Sequence, residues 1–85
     1  MIAGPGFWDA EIAGAGWRRV PNPGLADFPE LAARGTAWGR NAYVRGGQRL
    51  VMEWSDMVTL AAVLLNGVPR TVATEAELAA VVRGT

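Results

Sequence analysis

The stretch Ser55–Gly67, SDMVTLAAVLLNG, is the longest apolar run in the chain and has polar or glycine residues at both ends. Ser55 is a good helix N-cap, because its hydroxyl accepts a hydrogen bond from a free backbone N–H in the first turn. Asn66-Gly67 suits a helix end, because glycine adopts the left-handed conformation without strain. Small or polar residues recur at helical spacing: Ser55, Thr59, Ala62 and Asn66. The pattern predicts a central helix that is buried around most of its circumference.

The same stretch allows an alternative. Asn-Gly is also a strong signal for a two-residue hairpin turn, and the chain would then return through Arg70–Val72. Met57–Leu65 shows no alternation of polar and apolar residues and is rich in leucine and alanine, which favours the helix. Either way, its apolar part is too short for a bilayer, which needs roughly 20 residues. We therefore expect a core element and no membrane anchor.

Glycines at positions 46 and 47 predict a β-hairpin, since glycine supplies the positive φ that a two-residue turn requires. The predicted strands are Thr36–Arg45 and Gln48–Trp54. The expected register pairs Tyr43 with Leu50, Asn41 with Met52, Gly39 with Trp54, Ala42 with Val51 and Arg40 with Glu53. One face is then apolar and aromatic, and the other carries a cross-strand ion pair. We expect both hairpin tryptophans, Trp38 and Trp54, to lie in the core.

Two further helices and a short strand complete the predicted domain. Asp27 and Glu30 have the spacing of a capping box ahead of a short helix that ends at Gly35. Thr74 and Glu77 have the same spacing at the start of a C-terminal helix that ends at Gly84. Arg70–Ala73 is predicted as a short third strand.

Residues 1–24 are rich in glycine and proline, which disfavours long regular elements. We predict an extended arm with one short turn at Asp9–Ala13, held by its own domain or by a neighbouring chain. The fold class is therefore α+β: a small single domain (25–85) with an extended N-terminal arm (1–24), a short helix, a β-hairpin, a buried central helix, a short third strand and a C-terminal helix. On this view the domain folds without residues 1–20.

Composition disfavours several kinds of chemistry. The chain has no cysteine and no histidine, so it lacks thiolate ligands, disulfides and the commonest general base. Glu53 belongs to the predicted cross-strand ion pair, and the other carboxylates lie at predicted helix starts or in the glycine-rich arm. We expect no enzymatic activity, no small-molecule substrate, no cofactor and no metal ion. The first residues do not resemble a signal peptide, so we expect a cytoplasmic protein or a particle assembled in the cytoplasm.

Net charge is zero, and residues 17–54 carry an excess of only three positive charges. A nucleic-acid-binding domain is usually more basic, so weak, non-specific binding is the most we expect. Tryptophan and arginine are enriched at protein-binding hot spots. The candidate partner-binding residues are Phe7, Trp8, Trp17, Arg18, Arg19, Arg45 and Arg49.

We therefore expect protein–protein association, as a small structural subunit of a larger assembly such as a phage virion, of capsid-cementing or connector type. The alternatives are a small inhibitor that blocks an enzyme or a nucleic-acid complex by surface contact, and a weak nucleic-acid binder that uses the arginine-rich middle of the chain.

Overall fold

A computed structural model describes residues 2–35 and 37–84. Its elements in chain order are α1 (Pro5–Gly14), β1 (Arg18–Val20), a 3-10 segment (Pro29–Ala33), β2 (Gly39–Arg45), β3 (Gln48–Trp54), β4 (Leu60–Leu65), β5 (Val68–Pro69) and α2 (Glu75–Arg83). Two α-helices and an antiparallel sheet of five strands form one domain in the described part of the chain. The predicted α+β class is confirmed.

The strands lie in the order β1-β2-β3-β4-β5, so each strand pairs with its neighbour in the sequence. The predicted hairpin register between β2 and β3 is confirmed from Gly39–Trp54 to Arg45–Gln48. Gly46 and Gly47 form its turn with φ of 53° and 84°, in the left-handed region that favours glycine. The predicted β2 began at Thr36, which lies outside the described residues, whereas the strand begins at Gly39.

The predicted central helix at 55–67 is wrong, and the hairpin alternative is the observed structure. β4 pairs with β3 on one side and with β5 on the other. Asn66 and Gly67 form the intervening turn with φ of 53° and 81°. Val63 packs in the core on one face of the sheet and Leu64 in the core on the other. Because both faces are covered, the strand has no polar–apolar alternation, which made it resemble a helix in sequence.

The extended N-terminal arm is also wrong. Pro5 opens α1 in the first turn, where its missing N–H breaks no helical hydrogen bond. The predicted turn at Asp9–Ala13 lies within this helix. Trp8 and Ile12, one turn apart on α1, are both buried in the core. Downstream, β1 pairs with β2 and forms one edge of the sheet.

Two apolar clusters cover the two faces of the sheet. The first joins α1 and α2 to the sheet through Trp8, Ile12, Trp17, Tyr43, Leu50, Met52, Trp54, Val63, Leu78, Val81 and Val82. The second lies beneath the 3-10 segment and contains Phe28, Leu31, Ala42, Val51 and Leu64. Each face of this small sheet is therefore paired with an apolar partner from the same chain.

The remaining predicted elements have mixed outcomes. The capping box of Thr74 and Glu77 and the left-handed Gly84 at the end of α2 are confirmed. The short helix is a 3-10 segment at Pro29–Ala33, and Asp27 does not cap it. The predicted third strand at Arg70–Ala73 is displaced: β5 comprises Val68 and Pro69, because the tight turn returns the chain immediately beside β4.

Candidate protein-binding site

Two of the expected contact residues, Trp8 and Trp17, lie in the core of their own chain. The indole Nε1 of Trp17 donates a hydrogen bond to the carbonyl of Val82 at 2.6 Å. The Arg45 guanidinium lies 4.4 Å from the centre of the Trp17 ring and donates to the carbonyls of Ala15 and Val82, at 3.0 and 3.1 Å. Trp17 and Arg45 thus fasten the ends of both helices to the sheet.

Arg49 and Arg19 are also engaged within the chain. The Arg49 guanidinium donates to the Glu30 carboxylate at 3.1 Å, which ties β3 to the 3-10 segment. Arg19 Nη2 donates to Asn41 Oδ1 at 2.9 Å, and its Nη1 lies 3.7 Å from an Asp9 carboxylate oxygen. The Arg19 side chain is still about half exposed. These contacts give both arginines a structural role.

Phe7 and Arg18 remain at the surface. Arg18 lies with Arg49 along a groove of about 550 Å³ on the second face of the sheet. Phe28 and Val44 are among the apolar residues that line this groove. It brings two of the expected arginines together, but a neighbouring glutamate already neutralises one of them, Arg49.

The most exposed large apolar side chains lie elsewhere, at one end of the sheet: Trp38, Met57 and Val58, which together we call the end patch. β2 begins at Gly39, which pairs with Trp54, the last residue of β3. Trp38 and the loop that follows Trp54 therefore leave the sheet at the same end. Trp38, Met57 and Val58 are 62%, 71% and 66% exposed.

The loop that carries Met57 and Val58 is held by its own hydrogen bonds. Asp56 Oδ1 accepts from the backbone N–H groups of Val58 and Thr59, both at 2.8 Å. These hydrogen bonds, that from Val58 foremost, lower the pKa of the Asp56 carboxyl. Ser55 donates from its backbone N–H and its hydroxyl to the carbonyl of Thr59. Asp56 therefore accepts from the free backbone N–H groups of this turn, whereas the Ser55 hydroxyl, expected to accept as a helix cap, donates instead. Short polar side chains make such local hydrogen bonds in loops as well as at helix starts.

Ion pairs also hold the segment that leads into Trp38 and β2. Glu53 on β3 is buried and accepts hydrogen bonds from Arg34, in the segment before β2, and from Arg40 on β2. Arg40 also donates to the carbonyl of Gly35 at 2.6 Å. Burial alone would raise the pKa of Glu53, but the hydrogen bonds from Arg34 and Arg40 outweigh it and hold the pKa below its ordinary value.

A crevice of about 290 Å³ adjoins the end patch and is lined by Ile2, Val58, Thr59, Leu60 and Ala73. The N-terminal segment reaches this region: a Cβ atom added to Gly4 would lie only 2.7 Å from the carbonyl oxygen of Met57. A side chain at position 4 would therefore push the loop away. Because Gly4 has no side chain, the backbone just before α1 packs directly against the loop that carries Met57.

The end patch does not follow from the pattern of the sequence. Trp38 was expected in the core, and Met57 on the buried face of a helix. The available signal was Ser55-Asp56, which is as typical of a local side-chain-to-backbone turn as of a helix start. Reading it as a turn would have placed the two apolar residues that follow it in a loop.

Among residues 2–35 and 37–84, no group of three or more acidic side chains is close enough to hold a metal ion. No helix in the same residues has the length and hydropathy needed to cross a membrane. Compared with protein-family models, curated proteins and solved structures, the chain shows no match.

Proposed function

We propose that this protein binds another protein through the end patch and acts as a small structural subunit of a larger assembly. The observation that supports this is the exposure of Trp38, Met57 and Val58 at one end of the sheet, on segments held by hydrogen bonds and ion pairs. A subunit of a phage virion, of capsid-cementing or connector type, is one assembly of this kind.

The chemistry of the end patch suits a binding surface. A large apolar side chain that is buried in a complex contributes roughly 1.5–3 kcal/mol, and tryptophan is enriched among the residues that dominate binding energies. Since the loop at 55–59 is already ordered, association does not have to fix its backbone, and less entropy is lost.

The contacts that the arginines make within the chain favour a protein over a nucleic acid as the binding partner. Arg34, Arg40 and Arg49 are paired with buried or half-buried carboxylates, and Arg45 is engaged with Trp17 and backbone carbonyls. Their charge is largely used inside the chain, whereas phosphate binding needs arginines free to replace counterions. An inhibitor of an enzyme would use the same end patch, and stoichiometry separates it from an assembly subunit.

Site-specific photo-crosslinking in the cell that makes the protein tests the proposal. A photoreactive amino acid at position 57 should give a discrete protein adduct, and Trp38→Ser in the same chain should weaken it at least severalfold. Position 68 is the matched control, because Val68 is 59% exposed but lies beside the turn at the other end of β4. The same adducts from positions 57 and 68, or no adduct from position 57, would contradict the proposal.

The native mass of the adduct then distinguishes the two modes of association. A ring or lattice of fixed stoichiometry supports a subunit of an assembly. A one-to-one complex with an enzyme supports the inhibitor.

A further inference from the structure

The segment before α1, residues 2–4, is anchored to both helices. The backbone N–H of Ala3 donates a hydrogen bond to Glu75 Oε2 at 2.7 Å, although 72 positions separate the two residues. Glu75 is the first residue of α2, so this bond ties the segment to the start of that helix. Gly4 is the N-cap of α1, and its carbonyl accepts from the Trp8 N–H at 3.3 Å. A short stretch without regular structure therefore has a fixed position.

The same segment packs against the loop that carries Met57 and Val58. The Gly4 backbone approaches the Met57 carbonyl so closely that no side chain fits between them. Ile2 lines the crevice that adjoins the end patch, together with Val58. Ile2 and Ala3 are half-buried and pack against the first apolar cluster. The loop is therefore supported on this side by residues that are themselves held in place.

The loop makes few other contacts that could set its position. Asp56 accepts from the N–H groups of Val58 and Thr59, so these hydrogen bonds join residues within the loop. They determine the shape of the loop but do not connect its tip to the rest of the domain. The side chains of Met57 and Val58 are largely exposed and add little packing. The contact with residues 2–4 supplies the missing support.

We propose that Glu75 is a positioning residue for the end patch. By accepting the Ala3 N–H, its carboxylate holds residues 2–4 against the loop and fixes where Met57 and Val58 are presented to a partner. The inference rests on the proposed function for the role of the end patch. The contact itself exists in the free protein, so it can be tested without a partner.

Substitutions at Glu75 separate two properties of this side chain, its reach and its charge. Glu75→Gln keeps an acceptor oxygen at the same distance from the backbone. Glu75→Asp keeps the negative charge at the start of α2, where it favours the helix, but shortens the side chain by a methylene group. If Glu75 acted only by stabilising α2 through its charge, Asp would replace it and Gln would not. The positioning role predicts the reverse for the loop.

Hydrogen exchange of the Val58 and Thr59 amides, measured on the full chain labelled with ¹⁵N, reports on the loop. Glu75→Ala and Glu75→Asp should speed this exchange about threefold to tenfold, the range expected for the loss of one hydrogen bond. Glu75→Gln should restore exchange to within about twofold of the unmodified chain, because it still accepts from Ala3. The amide of Val51, a buried residue of β3, is the internal reference for a general loss of stability.

Gly4→Ala tests the other end of the same contact. Gly4 has φ of −75° and ψ of 177°, which alanine adopts without strain, so any effect comes from the new Cβ against Met57. The substitution should speed exchange of the loop amides as Glu75→Ala does. The double variant should add little to either, because both changes remove one shared contact. Gly6→Ala is the matched control, since no atom lies within 4 Å of a Cβ there.

Unchanged exchange of the loop amides in Glu75→Ala, or equal exchange in Glu75→Gln and Glu75→Asp, would overturn the inference. Photo-crosslinking from position 57 should fall severalfold in Glu75→Asp and recover in Glu75→Gln, and a full yield from Glu75→Asp would also overturn it. No adduct from the unmodified chain would count against the proposed function alone, because the exchange measurement needs no partner.

Discussion

At the scale of single residues, Glu53 is the most constrained charge in the described structure. Its carboxylate is buried in the sheet and held by Arg34 and Arg40, one before β2 and one on it. Because the pKa of Glu53 is lowered in the folded state, the group stabilises the fold at pH values above its unfolded pKa. That contribution is lost as the pH falls below the ordinary value of 4.5 and through the folded pKa.

Glu53→Gln should therefore lower the free energy of unfolding near pH 7 by about 1–3 kcal/mol, because two arginines lose a charged acceptor. The difference from the unmodified chain should shrink as the pH falls below 4.5, where Glu53 itself becomes protonated. Urea denaturation at a series of pH values measures both effects. Glu11→Gln, at an exposed position, should show almost no difference at any pH. If the difference in free energy of unfolding between the two chains did not change with pH, the charge of Glu53 would not contribute to stability.

Two glycines are expected to respond oppositely to the same substitution. Gly67 has φ of 81°, and a Cβ there would lie 3.4 Å from a guanidinium nitrogen of Arg49, so Gly67→Ala should cost about 1–2 kcal/mol. Gly6 lies in α1 with no atom within 4 Å of an added Cβ, so Gly6→Ala should stabilise the protein by about 0.5–1 kcal/mol. Thermal unfolding of the two variants shows whether each substitution raises or lowers the stability. A stabilising Gly67→Ala would argue against the hairpin turn.

At the scale of elements, local pairing could be predicted and the choice between helix and strand could not. The register of β2 and β3 follows from Gly46-Gly47, because a two-residue turn fixes every pair beyond it. Asn66-Gly67 has the same left-handed backbone in a helix end and in a hairpin turn, so the dipeptide does not decide between them. The strand is favoured because β3, paired with β2 on one side, has a free edge on the other, where β4 binds. That edge exists only once the rest of the fold has formed.

β4 offers a direct test of the strand. Val63 and Leu64 are adjacent in sequence and buried on opposite faces of the sheet. Val63→Asp and Leu64→Asp should each abolish cooperative unfolding, since each buries an unpaired carboxylate. Ala61→Asp, at an exposed position on the same strand, should be tolerated. Circular dichroism and urea denaturation measure the outcome, and tolerance of either buried substitution would contradict the two-sided burial.

For the candidate site, the residue types could be predicted from the sequence, but the positions could not. The residue types expected at a binding surface were tryptophan and arginine, and Trp38 does carry the end patch, although the sequence suggested a core position. Trp8 and Trp17 were expected to contact a partner, but they pack in the core, because helical spacing brings Trp8 and Ile12 onto one face of α1. Glycine and proline content says nothing about such spacing.

At the scale of the whole molecule, the N-terminal segment belongs to the core. Trp8, Ile12 and Trp17 are buried, and together they contribute roughly 5–9 kcal/mol, against a total stability of about 5–15 kcal/mol for an ordinary domain. Deleting residues 1–20 should therefore unfold the protein, contrary to the expectation for an arm. Loss of dispersed amide resonances measures this. Phe7→Ser is the control, because Phe7 is half exposed and its loss should leave the fold intact. A folded truncated chain would restore the arm hypothesis.

The contact of Trp17 with Val82 also has a consequence for synthesis of the protein. The two residues are separated by 65 positions, and at about 5–20 residues per second the ribosome needs about 3–13 s to add that length. Over this interval α1 has emerged without the helix that covers its apolar side. During this interval the nascent chain leaves Trp8 and Trp17 without the α2 residues that bury them. A ribosome that stalls before Val82 therefore leaves a chain that cannot close its main core.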